Sequence, residues 1–481
     1  MKENMHDIII IGAGVIGTAI AYNLAKYEAK ILVLEKENDV GDGASCANSG
    51  ILHSGYDPEP HSLKKKLNIL GNSLFDEIAK NLDVQLERIG SLTVATSSEE
   101  VIKLVELSKR AEENGVDVQL LTKEEAFLKE PFLNPQVQAA LFAPTAGIVN
   151  PFELTVAFME CAMDNGVALK LNEEVIAISR FAEYFVVKTK NNEYHTKNII
   201  NCAGVYSDYI HNMVNSPKFT IKARRGEYFV IDNLYTPYIK HVIFGLPTKA
   251  GKGVLVTPTT HYNYLIGPSS EFIDDKEDVA THAEVLKNVK DRASQLVSYL
   301  PFNSLIREFS GLRAVSDTDD FIIEEASPNF YDVAGIQSPG LSASPAIALM
   351  VEEMIQKREH YPKKENYNPK RRAVVRLPYV SLNERLALIK ENKAYGHIIC
   401  RCENISEAEV VDAIRRNCGA TTIKGVKKRT RPGAGRCQGG FCEPHIIDIL
   451  SRELNKPKTA IEYAKVKSYI LFERTSGDND A

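Results

Sequence analysis

Four consecutive isoleucines, Ile8 to Ile11, lead into a glycine-broken turn and then into small and apolar residues at helical spacing. An apolar run this short, followed by that spacing, reads as a strand buried on both faces and then a helix. The pattern predicts a strand over 7–11, a helix over 14–27 and a second strand, KILVLE, over 30–35. A loop, GDGASCANSGILHSGY, comes next, and helical periodicity returns around 62–81 and 99–114. KNIINCAGVYSD (197–208) reads as a buried strand entering a loop. GEYFVID, GVLVTPT and NYLIGP alternate or run apolar between Pro and Gly breaks, which predicts a strand-rich block. Residues 330–357 return to strand, glycine turn and helix.

This order predicts an α/β fold. A discontinuous Rossmann-like cofactor domain (1–85, 145–210, 330–357) encloses an inserted β-rich substrate domain, together spanning 1–370. A linker over 371–395, a small, mostly helical cysteine module over 396–455 and a tail over 456–481 complete the chain. KREHYPKKENYNPKRR (358–373) is polar, basic and proline-marked, the composition of a solvated connector. The closing SGDNDA reads as disordered.

Length and composition narrow the class. At 481 residues, 44% apolar and 25% charged, this is an ordinary soluble globular composition with room for two or three domains. A net charge of -5 excludes a basic nucleic-acid binder. The apolar stretch from Ile8 to Leu24 lacks a positively charged lead-in and contains three glycines within six residues, so it is neither a signal peptide nor a membrane span. No other segment is long and apolar enough to span a bilayer, and a cytoplasmic protein is expected. Of eight cysteines, Cys46, Cys161 and Cys202 are scattered and read as buried apolar residues. The other five fall within 43 residues, which without a signal peptide points to metal ligation rather than disulfides.

Gly12, Gly14 and Gly17 form GxGxxG between strand and helix, with Glu35 closing the second strand eighteen residues after Gly17. Gly12 permits the tight turn, Gly14 lets the backbone approach a pyrophosphate, and Gly17 lets helix pack on strand. The helix N-terminus faces the negative charge, and Glu35 accepts from the adenosine ribose hydroxyls. The fingerprint alone does not separate NAD from FAD.

ANSGILHSGY, NCAGVYSD and VAGIQSPGLSAS, in that order, resemble the D-amino-acid-oxidase-type flavoproteins over roughly residues 5–357. Within that family the chain is most similar to the glycerol-3-phosphate dehydrogenases and oxidases, with L-2-hydroxyglutarate dehydrogenases nearby. The resemblance implies FAD, with Ser45, Asn48, Ser49, Gly204, Gly340, Leu341 and Ser342 beside Gly12, Gly14, Gly17 and Glu35 in its site. Amides at the start of the helix after SPGLSAS would stabilise charge on a reduced flavin. The matching family position makes His53 the base that takes the substrate hydroxyl proton, a task suited to a group titrating near neutrality. His61 is the weaker competitor. The resemblance further implies substrate contacts from Lys252, Arg313 and Ser338. Arg313 can fork onto phosphate or carboxylate, whereas Lys252 belongs with the glycerophosphate branch. Arg224 and Arg225 match a segment that shapes the substrate cavity, with no individual role assigned.

Cys400-x-Cys402, thirty-four residues, then Cys437-x4-Cys442 does not follow the CxxC pairs of zinc ribbons. It resembles the bacterioferritin-associated-ferredoxin-like module, which binds a [2Fe–2S] cluster through four thiolates. Zinc in the same ligands is the alternative. Cys418 stands outside the pattern and reads as a core thiol. KGVKKRTRPGAGR carries six cations and no acid; it offsets cluster charge or is a solvated loop.

A flavin collects two electrons and a cluster passes them on singly, so the combination is similar to the large subunit of anaerobic glycerol-3-phosphate dehydrogenase complexes, although the catalytic part is more like the short oxidases. The expectation is FAD-dependent oxidation of glycerol 3-phosphate, with electrons relayed through the cluster to electron-accepting protein subunits and any membrane association made through those partners. The rivals are an L-2-hydroxyglutarate-type dehydrogenase and a non-catalytic electron-transfer subunit.

Overall fold

The computed structural model describes residues 5–233, 238–246 and 253–472. It divides into two compact units, Met1–Lys36 with Gly41–Arg371, and Glu37–Val40 with Arg372–Ala481. In chain order, the elements that carry the first unit's chemistry are β1 (Met5–Ile11), α1 (Val15–Leu24), β2 (Ile31–Leu34), α2 (Leu63–Leu82), β3 (Glu193–Asn201), β4 (Ile221–Ile231), β5 (Leu305–Ser316), β6 (Phe330–Ala334) and α3 (Gly340–Glu359).

β1 lies between β2 and β3, parallel to both, with Ile8 opposite Ile31 on one side and Asn198 on the other. Ile8, Ile9 and Ile10 are fully buried, as a strand covered on both faces requires. The far edge of β3 pairs with Phe185–Thr189 along its first half and with β6 along its second. The ends of β1, β3 and β6 therefore converge where the chain turns into helix or loop. α1 stops at Leu24, short of the expected 27, because Tyr27 leaves the helix to pair its backbone with Lys363.

A second, nine-stranded sheet among the described residues is built around β4 and β5. These long antiparallel strands pair from Ile221–Ser316 to Ile231–Leu305. Leu92, Phe229, Ile243, Val256 and Ile266 belong to the core beneath them. The predicted α/β architecture with an inserted strand-rich part and a small helical C-terminal module is the one observed.

The segment 358–373 is not a solvated connector. Glu28 donates its N–H to the Pro362 carbonyl, and Lys364 donates to that of Asn165. Arg371 is buried and pairs with buried Glu160 at 2.9 Å. Residues 371–395 also hold a helix, Leu382–Glu391, opened by a capping box of Ser381 and Glu384.

The second unit is a short hairpin, Ile398–Cys400 with Ile405–Ser406, followed by α4 (Glu407–Arg415), α5 (Ile423–Thr430) and α6 (Glu443–Leu454). Its core is mostly isoleucine and includes Cys400 and Cys442. Asp39 is buried in this unit, where Arg429 grips both its carboxylate oxygens at 2.9 Å and Lys428 reaches one at 3.2 Å. Burial pushes the Asp39 carboxyl up, but the facing guanidinium and ammonium outweigh it and hold it well below the usual carboxylate range.

Candidate active site and cysteine centre

The turn from β1 to α1 has no room for side chains. Gly12 has φ +103°, and a Cβ there would collide with the Cys202 carbonyl oxygen at the end of β3. A Cβ at Gly17 would strike the Gly12 carbonyl. Glu35 accepts from the Ala13 N–H at 2.7 Å, which ties the acid after β2 to the glycine turn. Ser45 accepts from the Val15 N–H at 2.8 Å, and Gly14 packs beside its hydroxyl. The N-cap of α1 is Gly14, which has no side chain to offer, so apart from the Val15 N–H taken by Ser45 the first-turn amides have no side-chain partner among the described residues. These features fit a dinucleotide pyrophosphate.

Asn48 braces its own loop, donating to the Ser45 carbonyl and accepting from the Gly50 N–H. Ser49 is half-buried beside it. Gly204, φ +58°, follows β3 with open space on its Cβ side. Gly340, Leu341 and Ser342 open α3, whose first turn also lacks a side-chain cap.

His53 is pinned from both sides. Its N–H donates to Ser342 Oγ at 2.8 Å, and its carbonyl accepts from Asn72 Nδ2 at 3.0 Å. Its Nε2 lies 3.3 Å from Ser338 Oγ, and its ring sits 5.8 Å from that of Phe244. Thus two predicted residues 285 positions apart come together. His61 is exposed. Arg313, on β5, is half-buried and donates to the Ser269 carbonyl at 3.2 Å. Lys252 lies outside the described residues.

Arg224 and Gln337 were given no chemistry by the sequence. Arg224 stands opposite Arg313 across the β4–β5 ladder and donates to Gln337 Oε1 at 2.6 Å, one residue before Ser338. The ARRG segment was visible, but the strand register that separates Arg224 from Arg225 was not.

The four thiols of the second unit come as two close pairs. Cys402 Sγ lies 3.7 Å from Cys437 Sγ, and Cys400 hydrogen-bonds with Cys442. That bond, against the opposing effect of burial, brings the Cys400 thiol down to about 6, and backbone donors from Glu403 and Gly433 help. The same bond and burial push Cys442 up. Among the described residues no three metal-binding side chains converge on one point. Together the two pairs supply four thiolates, the ligand set of a [2Fe–2S] cluster. Of the six cations between the cysteine pairs, Lys428 and Arg429 are buried on Asp39, Arg431 pairs with Glu403, and Lys427 donates to the Gly433 carbonyl. That stretch is structural rather than a solvated loop. Cys418 is buried, as expected, with Arg429 donating to it. Cys161 and Cys202 are buried too, whereas Cys46 is only partly so, its thiol donating to the Gly43 carbonyl.

A glycine turn tied to Glu35, with a histidine–serine pair close in sequence to the partner of Arg224, is the arrangement of a dinucleotide-dependent oxidoreductase. Residues 7–354 match the FAD dependent oxidoreductase family, to which the chain belongs, and residues 398–452 match the BFD-like [2Fe-2S] binding domain. Its cofactors are FAD and a [2Fe–2S] cluster. The chain is 46% identical to a glycerol 3-phosphate dehydrogenase of Caloramator mitchellensis over 98% of its own length and 100% of that protein's. It is 35% identical to a glycerol 3-phosphate oxidase of Mycoplasma genitalium, over 76% of this chain and 97% of the relative. Among solved structures, the dithionite-reduced L-α-glycerophosphate oxidase of Mycoplasma pneumoniae with FAD bound superposes with a TM-score of 0.73. That match has 33% identity and covers 76% of this chain and 98% of the other. No helix among the described residues is long and apolar enough to cross a membrane.

Proposed function

We propose that the protein oxidises sn-glycerol 3-phosphate to dihydroxyacetone phosphate and passes the electrons through its cysteine-bound cluster to an electron-accepting partner. The observation that carries this reading is the match over nearly the whole chain, cysteine module included, to a glycerol 3-phosphate dehydrogenase. The oxidase relative leaves about a quarter of this chain unmatched, which supports a protein acceptor in place of oxygen.

FAD, when bound, supplies the acceptor for the hydride from the carbinol carbon. His53 takes the hydroxyl proton at Nε2, and Ser338, 3.3 Å away, orients that hydroxyl. Pinning of the His53 backbone by Ser342 and Asn72 supports this role, because a base must be held where the proton leaves. Arg313 and Lys252 hold the phosphate. Gly12, Gly14, Gly17, Glu35, Ser45, Asn48, Ser49, Gly204, Gly340, Leu341 and Ser342 bind FAD. Cys400, Cys402, Cys437 and Cys442 ligate the cluster, in a domain read as 396–455. Cys402 is exposed and Phe441, between the last two glycines and Cys442, is 81% exposed, which supports a cluster edge open to a partner. The protein works in the cytoplasm and meets a membrane only through such partners.

Anaerobic flavin bleaching tests the reading. Glycerol 3-phosphate is expected to reduce the flavin fully, and L-2-hydroxyglutarate is not. Preference for the hydroxyacid hands the function to the carboxylate rival. Reduction by neither makes the protein a non-catalytic electron carrier.

A further inference from the structure

Two consecutive arginines on β4 meet opposite electrostatic fates. Side chains alternate across a strand, so Arg224 and Arg225 leave on different faces. Arg225 is buried among three carboxylates, those of Glu227, Glu271 and Asp278. Its charge is neutralised by the protein itself. Arg224 has no such company. Among the described residues its hydrogen bond goes to the neutral Gln337, and its buried Nε has no partner.

The residue directly opposite Arg224 is Arg313. Directly opposed residues share a face, and like charges so placed repel. Among the described residues, neither guanidinium has a carboxylate within ion-pair distance, and Arg313 donates only to the Ser269 carbonyl. Burial and then the charge of Arg313 lower the Arg224 pKa, and the more distant carboxylate of Asp319 offsets this only in part. The fold nonetheless makes room for the pair. A Cβ at Gly226 would collide with the Arg313 guanidinium, and a Cβ at Gly311 with the Ala47 carbonyl in the GASCANSG loop. Gln337, which orients Arg224, is itself held by donating to Asp319 at 2.8 Å, and it precedes Ser338, the neighbour of His53.

We propose that Arg224 is a further anion-binding residue of the substrate site, sharing with Arg313 the dianionic phosphate of the substrate. The inference rests on the glycerol 3-phosphate reading. Two facing guanidinia match a doubly charged tetrahedral group, whose oxygens can accept from both forks at once. The bound phosphate relieves the repulsion, so its affinity depends on both arginines.

The test uses full-length holoenzyme titrated with inorganic phosphate and followed by flavin absorbance, for wild type, Arg224→Met and Arg224→Lys, with FAD content and melting temperature measured alongside. Arg224→Met is expected to weaken phosphate binding about 10- to 100-fold, the worth of a charged hydrogen bond, with FAD content unchanged. Arg224→Lys restores the charge without the fork, and a smaller loss is expected. The Michaelis constant for glycerol 3-phosphate rises in step with the phosphate dissociation constant, which a merely structural role would not produce. Wild-type phosphate affinity in Arg224→Met overturns the proposal. If that variant loses FAD, wild-type affinity in Arg224→Lys overturns it equally. Anaerobic reduction of wild type by glycerol 3-phosphate separates the two levels. A wild type that is reduced, beside an Arg224→Met with normal phosphate affinity, removes Arg224 alone. A wild type that glycerol 3-phosphate does not reduce removes the substrate reading and the phosphate assignment with it.

Discussion

The flavin-side unit and the cysteine unit assemble their chemistry by opposite routes. In the first, His53, Arg224, Arg313 and Ser338 come from far-separated stretches, and the strand ladders and the α2–α3 packing bring them together. Backbone contacts already hold His53 in place before any ligand enters. In the second, four thiols lie within 43 residues, and two of them are themselves part of a small isoleucine core. A site set by packing survives loss of its ligand. A site whose ligands belong to the core draws its stability from the metal–sulfur bonds as well.

That contrast can be broken most forcefully at His53. His53→Ala should slow anaerobic flavin reduction by about two to four orders of magnitude, as removal of a general base does, with FAD retained. Stopped-flow reduction measures it, and a slow His61→Ala beside a normal His53→Ala would show that the wrong histidine was chosen. Cys437→Ser attacks the other unit. It should abolish the iron, expected at about two atoms per chain, and lower the melting of that unit while substrate still reduces the flavin. Stoichiometric zinc in anaerobically prepared wild type would end the cluster assignment.

Asp39→Asn should destabilise the second unit by about 3–5 kcal/mol, since it strands two buried cations. Because the native Asp39 carboxyl is depressed, its contribution is complete above the unfolded value of about 3.9 and is lost as pH falls below it. Acid melts followed by circular dichroism should therefore show a pH-dependent loss in wild type that is reduced in Asp39→Asn. Lys252→Met is the smallest and sharpest case. It should raise the Michaelis constant for glycerol 3-phosphate about 10- to 150-fold and leave dicarboxylate binding nearly untouched. An unchanged constant would remove Lys252 from the phosphate site.

The sequence disclosed what is local. The β1 turn and Glu35 are fixed by neighbours in the chain, and the cysteine spacings stand inside one small unit. The pairing of His53 with Ser338 came through family resemblance, because no short-range pattern links positions so far apart. Arg224 stayed unread for a physical reason. Whether it or Arg225 faces Arg313 depends on a strand register set 89 residues away, and a slip of one residue would exchange them. The basic stretches misled in a consistent way. Charged runs usually face water, yet Arg371, Lys428 and Arg429 are buried on single carboxylates that lie hundreds of residues earlier. SLNE at 381–384 did carry a helix-start signal inside the supposed linker, and polarity masked it.

The burial of Asp39 on Lys428 and Arg429 also sets a clock on biosynthesis. The acid leaves the ribosome 389 and 390 residues ahead of its two cations. At about 5–20 residues per second, that is a wait on the order of 20–80 s. The cysteine unit therefore needs a piece, Glu37–Val40, made long before the rest of it. It cannot reach its full stability as a fragment that begins at Arg372, and during synthesis it closes only after that interval has passed.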